Sequence, residues 1–251
     1  MWSTTAGGRW QLAGRVDPVI RVLAPAPLED SSRLVVLDEE ESHHLRVRRV
    51  ADGDLAEVLD GVGRIGVGRL VARGKGWDVA LDSIQTHPVA ADLVLLVGAG
   101  DKDRFGWLVE KAVELGVTRL VPLDTERSRH VASRVRDEHR GRLELRADEA
   151  LKQCGGAWRL TIERLTPIER ALAAVATPVR WLADPAGANP APFGAEPVTI
   201  VVGPEGGLTG PESEAALAQG FVPTRLGGRV LRFETAAIVA AAAATVGRKA
   251  T

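Results

Sequence analysis

Two glycine-containing turns near the C-terminus are the residues best suited to chemistry. They are Gly203-Pro204-Glu205-Gly206-Gly207 and Leu226-Gly227-Gly228-Arg229-Val230-Leu231-Arg232. Each follows a short extended or β-branched segment and runs into a segment of helical character. Glycine admits positive φ and close backbone approach, so at Gly203, Gly206 and Gly207 amides rather than side chains can line a ligand. In an open parallel sheet, ligands bind at the loops beyond the carboxyl ends of strands. Two such loops, about one helix and one strand apart, would lie side by side and share a pocket. Other glycine readings fail on spacing. Gly98-Ala99-Gly100 follows a strand, but Asp103 stands where a dinucleotide fingerprint needs its third glycine. No G-x-x-x-x-G-K-[ST] run is present, which removes a P-loop.

The elements that must position these turns can be read around them. Thr209-Gly210-Pro211-Glu212 is a helix start, with Thr209 as N-cap and Glu212 completing a capping box. Gly220 is the stop, and 221–226 reads as the next strand. Upstream come a strand at 93–97, a helix at 104–115, a strand at 119–123 and a longer helix over 133–153. Further elements follow at 159–165, 168–176, 179–183 and 198–202. Strands alternating with helices argue a parallel α/β sheet. Phe105, Leu108, Val109 and Ala112 recur at i, i+3, i+4 and i+7, which is one buried helix face. The alanine-rich stretch 236–244 is a strong helix former.

Before this domain the pattern is different. Short strands are expected at 19–23, 33–37, 54–59, 62–72 and 77–84, with Asp52-Gly53 and Asp60-Gly61 as hairpin turns. A short helix over 38–44 begins with acidic residues, as the helix dipole prefers. These residues, 15–86, read as a small β-rich barrel domain. Residues 1–14 read as a disordered tail, and the α/β domain as 91–251.

The composition is that of a globular protein, with 45% hydrophobic and 26% charged residues among 251. The one cysteine, Cys154, excludes an internal disulfide framework and fits a reducing compartment. No secretory signal is evident, and the longest apolar run is too short to span a bilayer. A cytoplasmic location without membrane attachment is expected. The net charge of −1 does not advertise nucleic-acid binding. Its distribution says more. Arg127, Arg129, Arg134, Arg136, Arg140, Arg142 and Arg146 crowd one segment, opposed by Asp137, Glu138 and Glu144. That segment could hold phosphates, or be a solvated helix with ion pairs at helical spacing.

The paired turns, GPEGG followed by LGGRVLRFETA, resemble the C-terminal motifs of the SPOUT superfamily, trefoil-knot RNA methyltransferases that use S-adenosylmethionine. Within it, their wording resembles the RsmE family, which methylates N3 of a uridine in 16S ribosomal RNA. The resemblance continues upstream. Asp103-Arg104 and 110–117 match the family's first knot-domain helix, Pro122 and Glu126-Arg127-Ser128 its next segment, and His43-His44-Leu45-Arg46 its N-terminal signature. It spans most of the chain, from about residue 15 onward. It implies a PUA-like RNA-binding barrel, a knotted C-terminal domain and a homodimer paired through the alanine-rich helix.

The resemblance also implies a site. S-adenosylmethionine would be held by backbone groups at Gly203, Gly206, Leu226, Gly227, Val230 and Leu231. Asp184, Val202, Glu205 and Thr235 complete that set. Uridine N3 carries a proton and is not nucleophilic until that proton is lost or polarised, so a base or a cation is needed. Arg232 could polarise a uracil carbonyl or grip a phosphate. Glu234 could orient it or accept the proton, and Glu205 could do the same. Each glutamate could equally be an ion-pair partner or a helix cap. His44, Arg46, Arg48, Arg104 and Arg127 are the expected RNA contacts, Arg49 standing in the same basic run, with a solvent-exposed strand as the bland alternative for Arg46 and Arg48. His43 and His44 alone are weak evidence for a metal, and none is expected. Cys154 reads as a buried small hydrophobe.

One departure stands out. Where the family continues with an arginine after Cys154, this chain has Gly155-Gly156. The arginine's role is then lost, or passes to Lys152 or Arg159. Two other functions remain open: a catalytically silent RNA-binding or ribosome-assembly factor, and a sister enzyme methylating ribose 2′-OH or another base position.

Overall fold

The computed structural model describes residues 2–4, 10–12, 20–190 and 194–246. They form two compact units. One comprises the residues up to Asp60 with Arg64–Thr86, the other Gly61–Gly63 with the residues from His87 onward. The tail expected over 1–14 lies partly outside the described residues. Its described segments, β1 (Trp2–Thr4) and β2 (Trp10–Leu12), pair antiparallel.

The first unit is a five-stranded mixed sheet. Its strands are β3 (Ile20–Leu23), β4 (Leu34–Val36), β5 (Leu55–Leu59), β6 (Arg64–Arg73) and β7 (Gly76–Thr86). They are ordered β3-β5-β6-β7-β4, with β3 parallel to β5 and the other pairs antiparallel. Among the described residues no pairing joins β3 to β4, so the hydrogen-bonded path stays open. The Asp60-Gly61 turn does join β5 to β6. Asp52-Gly53 is not a hairpin; it leads from helix α1 (Glu39–Val47) into β5. Asp38 caps α1 by accepting the Glu41 N–H at 2.8 Å. The helix runs past the expected end, so Arg46 lies in it and Arg48 caps it rather than lying on a strand. Val22, Leu45, Val58, Leu70 and Val79 form the core between helix and sheet.

The second unit is an all-parallel sheet. Its strands are β8 (Leu93–Gly98), β9 (Arg119–Asp124), β10 (Thr161–Ile162), β11 (Thr166–Pro167), β12 (Val179–Ala188), β13 (Val198–Val202) and β14 (Val222–Thr224). The order is β10-β9-β8-β13-β12-β14, with β11 also on β9. The central strands β8 and β13 are buried along their whole length, which is why they read as continuous apolar runs. The helices are α2 (Lys102–Glu114), α3 (Arg140–Cys154), α4 (Ile168–Ala173), α5 (Gly210–Ala218) and α6 (Phe233–Thr245). In α2 the expected face is fully inside: Phe105, Leu108 and Val109 are at 0% exposure.

Three expectations are corrected here. The helix expected from 133 begins only at Arg140, because the preceding segment is pinned to the loop after β8. Lys102 N–H donates to the Ser133 carbonyl and Val135 N–H to that of Gly100, both at 2.9 Å. These tertiary bonds override local helix propensity. The alanine face of α6 is used inside the chain: Ala237, Ala240 and Ala241 are at 0% exposure, and α6 packs on α2, β8 and β13. Any pairing through α6 therefore falls to Ile238, Val239, Ala242 and Ala243, which are only half-buried. Cys154 is exposed at the end of α3, not buried.

From the β14 edge, α6 returns to the middle of the sheet. The capping box at α5 forms as expected and does more. Glu212 Oε2 accepts the Thr209 N–H at 2.8 Å, while Oε1 accepts the Glu126 N–H at 2.8 Å. Thr209→Ala should cost about 1 kcal/mol, the usual loss of an N-cap. Glu212→Ala should cost more, roughly 2–3 kcal/mol, because it also orphans the Glu126 amide. Urea midpoints compare the two. Equal losses would show that the bond to Glu126 contributes nothing.

Candidate functional site

The parallel sheet brings the ends of β12, β13 and β14 together, and the two glycine turns meet there around one cavity of about 290 Å³. Of the residues expected to hold a cofactor, Asp184, Val202, Gly203, Glu205, Leu226, Gly227, Val230 and Leu231 line it. Gly206 and Thr235 do not. Gly206 is turned to Arg127, and Thr235 lies in the first turn of α6. Apolar walls come from Leu182, Val202, Leu226 and Phe233, and Phe233 stacks on Phe105 with ring centroids 6.4 Å apart.

Sequence reasoning missed Leu182, Ala183, Thr224, Arg229 and Phe233 as lining residues. Arg229 and Phe233 stand in the quoted motif and could have been found. Leu182 and Thr224 could not, because only the sheet order makes β12 and β14 neighbours.

The second turn is built to present its backbone. Among the described residues, no backbone or side-chain hydrogen bond involves residues 226–231. Backbone polar groups are rarely left without a partner away from water, so this loop offers its N–H and C=O groups to solvent or a ligand. Gly227 would place a Cβ only against Leu231, at an ordinary 3.5 Å. Gly203 is different. A Cβ there would stand 2.8 Å from the backbone of Gly207 and Leu208, so the first turn closes only with glycine.

The first turn is tied down by charged side chains. Glu205 Oε1 accepts the Asp101 N–H at 2.9 Å, which joins this turn to the loop after β8. That is the structural alternative for Glu205. Arg127 Nη1 donates to the carbonyls of Gly206 and Leu208, so this arginine clamps the turn. Asp101 caps α2, and the hydrogen bond from Ser133 at 2.6 Å, with those from the Arg104 and Asp103 amides, holds its carboxyl below the ordinary value.

The other charged candidates are placed as follows. Arg232 is the N-cap of α6, exposed and without a side-chain partner among the described residues, next to the cavity-lining Leu231 and Phe233. Glu234 is 5% exposed, and its Oε2 has no hydrogen-bond partner among the described residues. It does not line the cavity. Arg104 is half-buried in the first turn of α2.

The arginine-rich segment is largely spent internally. Arg134 and Arg129 both bond Asp124, at 2.7 and 3.3 Å. Burial raises the Asp124 carboxyl, but these bonds outweigh it and hold the group below its ordinary value. Arg140 pairs with Glu144 and Arg146 with Glu110. Gly155 has a structural task as the left-handed C-cap of α3, at φ 76°. Both substitutes for the missing arginine are engaged, Lys152 with Glu149 at 2.8 Å and Arg159 with Asp148 at 2.9 Å. In the first unit, Arg46 donates to the Lys75 carbonyl at 2.6 Å, Arg48 is exposed, and His44 is half-buried.

Residues 87–245 match the model of the RNA methyltransferase domain, and residues 37–76 that of the RNA methyltransferase PUA domain. Over 235 residues the chain is 30% identical to ribosomal RNA small subunit methyltransferase E of Synechocystis sp., covering 88% of this chain and 75% of that protein. The chain belongs to the RsmE family. Two crystal structures share the family's two-part fold. One is ribosomal RNA small subunit methyltransferase E from Neisseria gonorrhoeae bound to S-adenosyl methionine. It is 25% identical with a TM-score of 0.81, covering 91% of this chain and 98% of that one. The other is a probable rRNA-methyltransferase from Porphyromonas gingivalis, 29% identical with a TM-score of 0.75, covering 89% and 95%. The C-terminal unit is thus a SPOUT-type methyltransferase domain and the N-terminal sheet a PUA-like one.

The two glycines separate folding from binding. Gly203→Ala should lower the melting midpoint by several degrees, since its Cβ meets backbone that cannot yield. Gly227→Ala should leave it nearly unchanged. Thermal unfolding of both variants checks this, and a stable Gly203→Ala protein would refute the steric argument.

Proposed function

We propose that this chain transfers a methyl group from S-adenosylmethionine to N3 of a uridine in 16S ribosomal RNA, as a cytoplasmic homodimer. The observation that carries the reading is the meeting of two glycine turns around one cavity, one of them with its backbone groups uncommitted. The cavity suits the cofactor chemically. Its apolar walls match an adenine ring. Uncommitted backbone groups at Leu226, Gly227, Val230 and Leu231 match the ring's polar edge. The Asp184 carboxylate, one oxygen of which accepts the Ala186 N–H at 2.8 Å, can take ribose hydroxyls on the other. When bound, S-adenosylmethionine supplies an electrophilic methyl group.

The remaining work is done by this chain's side chains. Loss of the N3 proton leaves negative charge shared with the flanking uracil carbonyl oxygens. A guanidinium placed there stabilises that charge most where water is excluded. Arg232 is suited to this, being exposed, unpaired and next to the cavity. Glu234, two residues from Arg232 and buried with Oε2 unpartnered among the described residues, is the carboxylate available to orient Arg232; it lies outside the cavity, so accepting the proton would require it to turn inward. Glu205 already accepts the Asp101 amide, which commits it to holding the turn. RNA would be gripped by Arg46 and Arg48 of the PUA-like unit, by His44, and by Arg104 of the methyltransferase domain. Arg127 serves the site by fixing its loop. No helix among the described residues is long and apolar enough to cross a membrane.

Arg232→Ala should depress single-turnover methylation of 16S rRNA, by roughly 10–100-fold, with cofactor affinity unchanged by calorimetry. Gly227→Trp should abolish cofactor binding while the protein stays folded. Wild-type rates in Arg232→Ala at saturating RNA would make the residue a binding group only. Nucleoside analysis of the product separates N3 from 2′-O methylation, and absence of any methylation would leave a silent RNA-binding factor.

For the dimer, the half-buried face of α6 is the candidate contact. Val239→Glu should convert the dimer to a folded monomer in light scattering, whereas Ala240→Glu should unfold the chain. A wild-type monomer with full activity would remove the dimer from the reading.

A further inference from the structure

Helix α1 ends in a left-handed turn, a position glycine fills most often, and the residue there is an arginine. Arg49 has φ 56°, and it is the one non-glycine residue with positive φ among the described residues. Its position is well defined. Arg49 N–H donates to the Arg46 carbonyl at 3.1 Å and Val50 N–H to the Leu45 carbonyl at 3.3 Å. These are the paired bonds of a Schellman motif, with Val50 packing on the core that contains Leu45. Glycine predominates at such a position because a Cβ in the left-handed region crowds the following carbonyl. A long cationic side chain therefore stands where the backbone alone would favour none.

The Schellman bonds and the Val50 packing hold the turn and would be kept by glycine; no contact of the Arg49 side chain recovers the cost of its Cβ. The Arg49 side chain is exposed and makes no hydrogen bond or ion pair among the described residues. The nearest acids in sequence are committed elsewhere: Asp52 accepts the Ala72 N–H at 2.8 Å and Asp54 the Ala51 N–H at 2.7 Å. Arg48 beside it is likewise exposed and unpaired. Arg46 is held to the Lys75 carbonyl, which brings the β6–β7 hairpin against this helix end. A non-glycine residue held at positive φ, with a side chain that returns nothing to the fold, points to a task outside it. Here the left-handed turn leaves the Arg49 side chain exposed at a helix end closed by two backbone bonds.

We propose that Arg49 is a fixed phosphate anchor of the RNA-binding face, kept at a left-handed position at a cost in stability. The inference rests on the RNA-methyltransferase reading and adds a contact to it. A guanidinium matches a phosphate by two parallel N–H bonds, and a strained but fixed backbone limits the orientations in which it is offered.

The test uses the full chain and two substitutions. Arg49→Gly removes both the strain and the charge. Its melting midpoint should rise by roughly 2–4 °C. Its affinity for transcribed 16S rRNA should fall several-fold, and the slope of log affinity against log salt should shrink by about one phosphate contact. Arg49→Lys keeps charge and strain, so it should stay near wild type in midpoint and slope. S-adenosylmethionine affinity, read by calorimetry, should be the same in all three proteins. If Arg49→Gly gains stability yet binds RNA with the wild-type slope, the arginine is merely tolerated and the proposal is wrong. It is also wrong if the midpoint does not rise, because the side chain then supports the fold. A wild-type chain that binds the cofactor but not rRNA would overturn the functional reading, and this inference with it.

Discussion

The site depends on charged side chains bonded to backbone groups across three strand-end loops. Glu205 takes the Asp101 amide, Arg127 the carbonyls of Gly206 and Leu208, and Glu212 the amides of Thr209 and Glu126. Each bond joins the loop after β13 to the loop after β8 or β9, or closes the helix that follows. Charge-assisted bonds of this kind are stronger than neutral ones. They are needed because the glycines that let the loop approach a ligand also leave it conformationally free. The turn is thus flexible in composition and fixed in context.

The second turn follows the opposite rule. Residues 226–231 make no hydrogen bond within the described structure, yet both ends are anchored. Before them, β14 joins the sheet beside β12. After them, α6 returns across the sheet and buries Ala237, Ala240 and Ala241 against α2, β8 and β13. A loop held at both ends can keep its shape while leaving its polar groups to a ligand. Small side chains on α6 are what permit the close return path. The alanine run therefore answers a packing demand inside the chain.

Charge is used in the same economical way. The arginine-rich segment looked like a phosphate site or a solvated helix, and most of its arginines face acids: Arg129 and Arg134 meet Asp124, Arg140 meets Glu144, and Arg146 meets Glu110. Guanidiniums without a hydrogen bond or ion pair among the described residues include Arg104, Arg229 and Arg232 in one unit, Arg229 lining the cavity itself, and Arg48 and Arg49 in the other. A chain of near-zero net charge can still offer cations to an anionic substrate when the surplus is placed rather than abundant.

Much was legible in the sequence because it is local. The Thr209–Glu212 capping box, the Phe105–Ala112 face and the apolar runs of β8 and β13 follow from residue type and spacing. The two glycine turns and their neighbouring placement followed from the same rules. What depended on distant partners could not be read. The segment 133–136 is not helical because Gly100 and Lys102 hold it. Leu182 and Thr224 reach the cavity only through the sheet order. Sequence left Glu205 open between a chemical and a structural role and expected Arg127 at RNA; the bonds that tie both to distant backbone could not be read from it. Local sequence determines which conformations and donors are available. Only tertiary structure decides which charges are consumed by the chain's own backbone and which remain for a ligand, because those pairings form between residues far apart in sequence.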